Sequence, residues 1–230
     1  MFKLIDNKIL VNSDWHLNHK NIWLYEFEKR KQFINKDKYP FITNSNQLKK
    51  FYENNILNWQ ENLNTEFYLD SEYNMLLKIK KNLIDILNNY NIKEYVNLWD
   101  FLFNISDKKI IEYTETKNFL LLLDIFWILK DYNIYRILFL GNHDKENFNL
   151  FYYNFFDKIK TNEFSNWILW SHFPFSEKSK PFKNLENLEI IKKNIKMCIH
   201  WHTHSNIANE SNFKEYKHIK YINTSLDTLI

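Results

Sequence analysis

Histidine in this chain is concentrated in five short polar clusters, each of which follows an apolar run. Seven of the eight histidines lie in a cluster or within three residues of one. In chain order the clusters are Asp14-Trp15-His16, Asp100, Gly141-Asn142-His143-Asp144, Ser171-His172 and His200-Trp201-His202-Thr203-His204. Imidazole, carboxylate and amide oxygen are the groups that bind divalent first-row metals. Their concentration therefore indicates a metal site.

The apolar run before each cluster predicts a buried strand, because the runs are short and rich in Ile, Leu, Val or aromatic residues. They comprise residues 8–11, 94–98, 134–140, 167–170 and 195–199. In layered α/β proteins ligands bind at the carboxyl ends of strands, since the loops carry the chemistry and the strands hold them rigid. The sequence thus predicts strands that deliver all five clusters to one site.

Each cluster is ambiguous when it is taken alone. Asp14-Trp15-His16 is compatible with an ordinary strand-end turn, and Gly141 to Asp144 consists largely of turn formers. His200, His202 and His204 are more specific, because alternate residues of an extended segment point to the same side. Buried imidazoles there would be costly without a metal or carboxylate partner. Together, the five clusters favour a metal site over unrelated turns.

The order of the clusters resembles the calcineurin-like metallophosphoesterase family, whose pattern is D-x-H, GD, GNHD or GNHE, an isolated H, and GHxH. The counterparts are Asp14/His16, Trp99-Asp100, Gly141 to Asp144, His172, and Trp201 to His204. They span residues 14–204, nearly the whole chain. Residues 13–22 are also similar to the small bacterial and phage branch of the family. The resemblance implies an α/β fold, a four-layer α/β/β/α sandwich of two mixed sheets flanked by helices.

The resemblance further implies that two divalent metal ions are bound, with Asp100 bridging them. One ion would be held by Asp14, His16, Asp100 and His204, and the other by Asp100, Asn142, His172 and His202. A metal-bridging hydroxide would attack a phosphomonoester or phosphodiester. His143 would stabilise or protonate the leaving oxygen, and Asp144 would orient His143. For His19 and His200, contact with phosphate or the ligands and an ordinary surface or core position are both open.

Other metal sites fit less well. A metallo-β-lactamase would carry His-x-His-x-Asp-His, but Ser205 and Asn206 follow His204. An amidohydrolase would carry His-x-His on its first strand, where this chain has Asp14-Trp15-His16. Structural zinc sites are usually rich in thiolates, and Cys198 is the only cysteine. The oxygen and nitrogen ligand set suits manganese, iron or zinc.

Length and composition are those of one large globular domain. The chain has 230 residues, of which 45% are hydrophobic and 26% charged, and a net charge of +3. That charge is too small to support nucleic-acid binding, which stays open. No apolar stretch approaches the roughly 20 residues that span a bilayer, and the start lacks the apolar core of a signal peptide. We expect a cytoplasmic location, no membrane partner, and a phosphate ester substrate, with nucleotides among the candidates.

Helical periodicity fills the interval between the first two clusters. One stripe comprises Leu48, Tyr52, Ile56, Trp59 and Leu63. A second stripe extends from Met75 to Tyr90, with Asp70 or Ser71 as its N-cap. We predict one domain, 1–230, with a helical insertion around 66–92. A further helix is predicted over 114–130 and a final strand over 217–227.

Glycine is scarce in this chain and tryptophan is frequent, with one glycine and eight tryptophans. Trp99 and Trp201 stand where the family has glycine beside a ligand. Glycine serves where backbone approaches a ligand closely or needs a dihedral that only glycine adopts cheaply. Three explanations are open. The two tryptophans are tolerated in extended backbone, or one of them stacks on a nucleobase. Alternatively, the source organism reads the codon UGA as glycine, and this chain was translated with UGA as tryptophan. We prefer the third hypothesis, with Trp59 as a genuine tryptophan. The alternative function is a catalytically impaired, metal-containing binding module.

Overall fold

Two sheets and a set of helices make up the residues that the structure describes. This computed structural model describes residues 2–13, 15–19, 21–98, 101, 107–140, 144, 149–160, 163–165, 168–170, 194–200 and 220–223. The first sheet has the strands β1 (Lys3–Ile5), β2 (Ile9–Ser13), β3 (Glu94–Leu98), β4 (Tyr135–Phe139) and β5 (Lys158–Lys160). The second has β6 (Glu163–Ser165), β7 (Ile168–Trp170), β8 (Met197–His200) and β9 (Lys220–Asn223). The fold is therefore mixed α/β.

The first sheet is mixed, with its strands in the order β1-β2-β3-β4-β5. Strands β2 to β5 are parallel, whereas β1 pairs antiparallel with β2 through a tight turn. Asp6 and Asn7 form that turn with positive φ angles of 49° and 55°, which Asp and Asn tolerate better than most residues. The central strands are buried over most of their length, as expected for parallel strands with continuous apolar runs.

The two sheets share one apolar cluster. Its buried members from the first sheet are Ile5, Val11, Val96, Leu98, Ile137 and Phe139, and those from the second are Trp170 and Ile199. All of them belong to one compact unit, residues 1–15, 91–101 and 134–230, which also contains the short helix α7 (Asn149–Tyr152). This packing fixes how the strands of the two sheets lie against each other.

The second compact unit comprises residues 16–90 and 102–133 and is helical. Its helices are α1 (Ile22–Tyr25), α2 (Phe27–Arg30), α3 (Ser45–Leu57), α4 (Glu61–Asn89), α5 (Asp107–Thr114) and α6 (Lys117–Asp131), with a 3-10 turn at Lys31–Phe33. Helices α4 and α6 pack against each other. No helix among the described residues is both long and apolar enough to cross a membrane.

Side-chain caps define where two of these helices begin. The Asn44 side chain accepts a hydrogen bond from the Gln47 N–H at the start of α3, and Thr116 accepts one from Phe119 N–H at the start of α6. Each cap satisfies a backbone donor that has no partner inside the helix. Thr116 therefore explains why α6 begins at Lys117, three residues later than the sequence predicted.

The strands that precede the clusters are confirmed, each within a few residues of its predicted ends. The final strand is confirmed as β9. The predicted N-cap at Asp70 or Ser71 is wrong, because α4 begins at Glu61 and both residues lie inside it. Asp70 instead pairs with Lys38 at 2.6 Å and with Lys117 at 2.9 Å. The predicted insertion, 66–92, falls almost wholly within α4, and the single-domain organisation stays a prediction.

Trp59 is not part of a helical apolar face, which corrects that interpretation. It lies between α3 and α4 with φ of 57°, and its side chain is 93% exposed. The Trp59 N–H donates to the Ile56 carbonyl and the Gln60 N–H donates to the Asn55 carbonyl. This is the hydrogen-bond pattern of a Schellman cap, whose left-handed residue is usually glycine. At the corresponding position after α6 the chain has Asn133, which tolerates the conformation.

We expect Trp59→Gly to raise the free energy of unfolding by about 1 kcal/mol, because a bulky residue in the left-handed region costs roughly 1–2 kcal/mol. Urea denaturation measures this change. The matched control is Trp127→Gly, at an exposed interior position of α6. It should lower the free energy of unfolding by about 1 kcal/mol, since glycine is unfavourable inside a helix. A loss of stability in both variants would contradict the assignment of Trp59 to a glycine position.

The same geometry extends the codon hypothesis from Trp99 and Trp201 to Trp59. We expect UGA codons at these three positions in the gene, and UGG at Trp15 and Trp170, whose side chains are buried in the core. Sequencing the gene measures this directly. UGG at 59, 99 and 201 would refute the hypothesis. If it is correct, the Trp99→Gly, Trp201→Gly double variant should bind metal better than the chain as written.

Candidate metal centre

The parallel strands of the first sheet end in one row. Ser13 pairs in register with Leu98, and Leu98 pairs with Phe139. Each of these last residues is followed within a few residues by one of the first three clusters. Because neighbouring strands are only about 4.8 Å apart, these three strand ends lie side by side. Of the predicted site residues, Asp14, Asp100, Asn142, His143, His172, His202 and His204 lie outside the described residues.

Phe101 connects the first three clusters through contacts of described residues. Its ring lies 5.6 Å from that of Trp15, the middle residue of the first cluster, at an interplanar angle of 43°. Its backbone N–H donates to the Asp144 carboxylate, the last residue of the third cluster, at 3.4 Å. Phe101 itself directly follows the second cluster and is fully buried. Three segments that are far apart in sequence therefore meet at one residue.

Asp144 is a buried carboxylate with two further neighbours. Its exposed fraction is 7%, and its Oδ1 atom accepts a hydrogen bond from the Tyr152 hydroxyl at 3.4 Å. Tyr152 also contacts the Phe101 ring edge-on, at 6.4 Å between ring centroids. Asp144 thus ties the segment after β4 to Phe101 and to α7. The predicted role of Asp144 in orienting His143 stays a prediction, because His143 lies outside the described residues.

Strand β7 of the second sheet ends next to the end of β4 in the first sheet. Phe139 at the end of β4 stacks on Trp170 at the end of β7, with ring centroids 6.0 Å apart and an interplanar angle of 14°. Trp170 pairs in register with Ile199 of β8. The fourth and fifth clusters follow these two strands. His200 is the last residue of β8, paired with Asn223, and only its backbone is described.

His16 and His19 are brought together by a tight turn at the start of the helical unit. Their rings lie 5.5 Å apart, and both side chains are buried. The backbone folds back because His16 and Asn18 have positive φ angles of 47° and 62°, and the His19 N–H donates to the His16 carbonyl at 3.1 Å. His and Asn are among the residues most often found in this conformation. The turn therefore holds two imidazoles side by side.

Asn18 fastens this turn to α4 at two points. Its backbone N–H donates to the Glu72 carboxylate at 2.7 Å, and its side-chain oxygen accepts from the Tyr68 hydroxyl at 2.8 Å. Tyr68 and Glu72 are one helical turn apart on α4, so they present both groups to the same loop. The positions of His16 and His19 thus depend on a helix that follows them by about fifty residues in the chain.

Glu72 is the centre of a buried polar network that sequence reasoning did not find. Besides Asn18, its carboxylate accepts hydrogen bonds from the Tyr113 hydroxyl at 3.0 Å and the Asn118 amide at 2.9 Å. Burial raises the pKa of Glu72, while these hydrogen bonds and the charge of Arg30 act in the opposite direction. The available signal was its spacing: Glu72 falls on the same helix face as the apolar residues Met75 and Ile79.

Within the described residues, no three His, Cys, Asp or Glu side chains converge as a metal-binding group. Most of the predicted ligands lie outside that part of the chain, so their convergence stays a prediction. Cys198 is fully buried in β8, as its place in an apolar run predicted, and as the only cysteine of the chain it forms no intrachain disulfide.

A solved structure resembles this one along nearly its whole length. It is the crystal structure of the protein of unknown function AQ665 from Aquifex aeolicus. The TM-score is 0.51 with 21% sequence identity, and the match covers 96% of this chain and 90% of that chain. At this identity the similarity concerns the fold alone. No protein-family model matches the sequence, and no curated protein matches it.

We expect the stability of Glu72→Gln relative to the parent protein to increase as the pH rises above 4.5, the ordinary pKa of this side chain. The pKa of Glu72 is raised in the folded protein. Its contribution to the free energy of unfolding is therefore fully present below the unfolded pKa and is lost as the pH rises through the folded pKa. Glutamine does not ionise, so the variant escapes this loss. Urea denaturation at a series of pH values measures the difference.

The matched control for this experiment is Glu66→Gln, the same substitution at an exposed position of α4. An increase of equal size in the control would show that the trend does not arise from the buried carboxylate. A difference between Glu72→Gln and the parent that stays constant with pH would likewise contradict the prediction.

Proposed function

We propose that this protein is a dinuclear-metal-dependent phosphoesterase with a four-layer α/β/β/α sandwich fold. The observation that carries the proposal is the meeting of Trp15, Phe101 and Asp144. Trp15 lies between the predicted ligands Asp14 and His16, and Phe101 directly follows the predicted bridging ligand Asp100. Asp144 directly follows the predicted proton donor His143. The proposed centre requires these three segments to be neighbours, and the two contacts support that requirement.

Chain connectivity limits how far the predicted site residues are from these contacts. Three of them are sequence neighbours of the contacting residues: Asp14 of Trp15, Asp100 of Phe101, and His143 of Asp144. Consecutive Cα atoms are about 3.8 Å apart. In the second sheet, His172, His202 and His204 follow Trp170 or Ile199 within five residues. The stacked pair of Phe139 and Trp170 keeps those strand ends beside the end of β4.

The donor set fits a pair of divalent ions. Asp14, Asp100 and Asn142 would provide oxygen ligands, and the remaining ligands would be the imidazoles of His16, His172, His202 and His204. Such a set without thiolate suits manganese, iron or zinc. When bound, two divalent ions activate water at neutral pH and neutralise the phosphoryl oxygens during in-line displacement. This chemistry requires the ligands on rigid strand ends, which the register of both sheets supports.

The remaining candidate residues would transfer a proton, hold the segment that carries the proton donor, or bind the phosphate. His143 would give a proton to the leaving oxygen of the ester. Asp144 would limit the movement of the segment that carries His143, because its carboxylate is held by the Phe101 N–H and the Tyr152 hydroxyl. His19 would contact the phosphate from the turn that it shares with His16. The substrate would be a phosphomonoester or phosphodiester.

A catalytically impaired, metal-containing binding module is the second candidate. The observation that favours it is the presence of Trp99 and Trp201 beside predicted ligands, where an indole would crowd the site. It predicts bound metal in the parent protein without turnover of any phosphate ester. Elemental analysis together with a metal-dependent screen of bis(p-nitrophenyl) phosphate, p-nitrophenyl phosphate, nucleotides and cyclic nucleotides distinguishes the two.

We expect Asp100→Asn to lose both metals or to bind them weakly, because one carboxylate serves two cations and an amide carries no charge. His143→Asn should keep its metals but lower turnover by roughly 10² to 10⁴, the usual contribution of a general acid or base. Elemental analysis measures metals per chain, and turnover is measured on the best substrate of the screen. The two variants are controls for each other, since each changes one residue of a cluster.

Two results would remove these roles. Asp100→Asn with two metals per chain and near-normal turnover would exclude Asp100 as the bridging ligand. His143→Asn with lost metal would make His143 a ligand, and unchanged turnover would exclude it from the reaction.

A further inference from the structure

A cavity of about 300 Å³ lies in the helical unit beside the turn that carries His16 and His19. Its volume is at the lower end of the range for small-molecule sites. The described residues that line it come from the turn, from α4, and from α5 and the segment after it: Asn18, Thr65, Tyr68, Leu69, Glu112, Tyr113 and Thr116. The lining combines two aromatic rings with several groups that form hydrogen bonds, which is the usual make-up of a site for a small organic group.

Three of the hydroxyl groups that line the cavity donate their hydrogens inside the protein. The Tyr68 hydroxyl donates to Asn18, the Tyr113 hydroxyl donates to Glu72, and the Thr116 hydroxyl donates to the Tyr113 carbonyl. A tyrosine hydroxyl that donates its hydrogen still has lone pairs that accept. The two tyrosines therefore offer acceptors, rather than donors, to an occupant of the cavity.

The charge of the lining points in the same direction. Glu112 is the one carboxylate among the described lining residues, which include no Lys, Arg or His. A carboxylate offers only acceptors when it is ionised. Its charge acts on the Tyr68 hydroxyl and contributes, after burial and Glu72, to the raised pKa of that tyrosine. The cavity thus disfavours an anion such as phosphate and favours a group that brings N–H donors.

The place of the cavity links it to the proposed chemistry. Asn18 forms part of the cavity wall and lies between His16 and His19 in the chain. A Cα atom two residues away is at most about 7.6 Å distant. An ester whose phosphate contacts His19 could therefore place its organic group at Asn18. This step rests on the proposed phosphoesterase function.

We propose that the cavity binds the organic part of the phosphate ester, and that this part is a nucleobase with an exocyclic amino group. The amino group donates to Glu112, and the ring lies against the side chains of Tyr68 and Leu69. The phosphate stays outside the cavity, at the turn of His16 and His19. The cavity selects the base through the N–H donors that the base carries.

The test compares two nucleosides of similar size. Cytosine presents an amino donor where uracil presents a carbonyl acceptor. Titration of the full-length protein with cytidine and with uridine, followed by NMR, measures both dissociation constants without a phosphate group. We expect cytidine to bind about tenfold more tightly, the effect of one hydrogen bond to a charged group. Glu112→Gln should abolish the preference.

Two further variants keep the test specific. Glu115→Gln is the matched control, because Glu115 is exposed nearby but does not line the cavity. It should retain the preference for cytidine. Thr65 also lines the cavity, at an exposed position of α4. Thr65→Trp should weaken the binding of both nucleosides by about tenfold or more, because the indole fills the space. Equal affinities, a preference that survives Glu112→Gln, or no binding of either nucleoside would overturn the proposal.

Kinetics separate this proposal from the proposed function. With the metal-loaded protein, kcat/KM for cytidine 5′-phosphate esters should exceed that for the uridine esters about tenfold, and Glu112→Gln should remove the difference. Nucleoside binding without hydrolysis of any phosphate ester would refute the proposed phosphoesterase function and leave the proposed base-binding site intact. Hydrolysis at the same rate for both bases would refute the base-binding site and leave the phosphoesterase function intact.

Discussion

The apolar cluster between the two sheets is the constraint on which the candidate centre depends. Val11, Val96 and Phe139 contribute to it from the first sheet, and Trp170 and Ile199 from the second. Truncating a packed side chain such as Phe139, Trp170 or Ile199 to alanine would cost roughly 2–5 kcal/mol. A slip of one residue in any strand would turn its apolar side chains away from the cluster. Burial therefore fixes the register, and the register sets where each strand ends.

Strand ends alone give only an approximate position, and buried side chains refine it. Phe101 collects the segments after β2, β3 and β4 through one ring contact and one backbone hydrogen bond. In the helical unit, Glu72 performs the corresponding task for the turn of His16 and His19, through Asn18. Phe101 and Glu72 thus each connect a loop that carries candidate ligands to an element distant in sequence.

The sequence predicted the strands well, because a short apolar run that ends in polar residues is a local signal. It predicted the helices less well: α4 begins nine residues before Asp70, and Trp59 was assigned to a helix face that ends at Leu57. Apolar and aromatic residues three or four positions apart continued across the C-terminal cap of α3, so the spacing did not reveal where this helix ends. Glu72 and Phe101 were missed for a different reason. Their roles depend on partners that the fold brings together from distant parts of the chain. Spacing along the sequence does not reveal such partners.

Scarcity of glycine gives the left-handed residues of this chain particular meaning. Among the described residues, positive φ angles occur at Asp6, Asn7, His16, Asn18, Trp59 and Asn133. All but Trp59 are residue types whose polar side chains tolerate this conformation. At His16 a predicted metal ligand also makes the turn, so the backbone that orients its imidazole is set by Asn18 and Glu72. Trp59 has no such compensation, since its indole is almost fully exposed. The backbone at this cap therefore has the conformation of a glycine site, whereas the side chain is that of tryptophan.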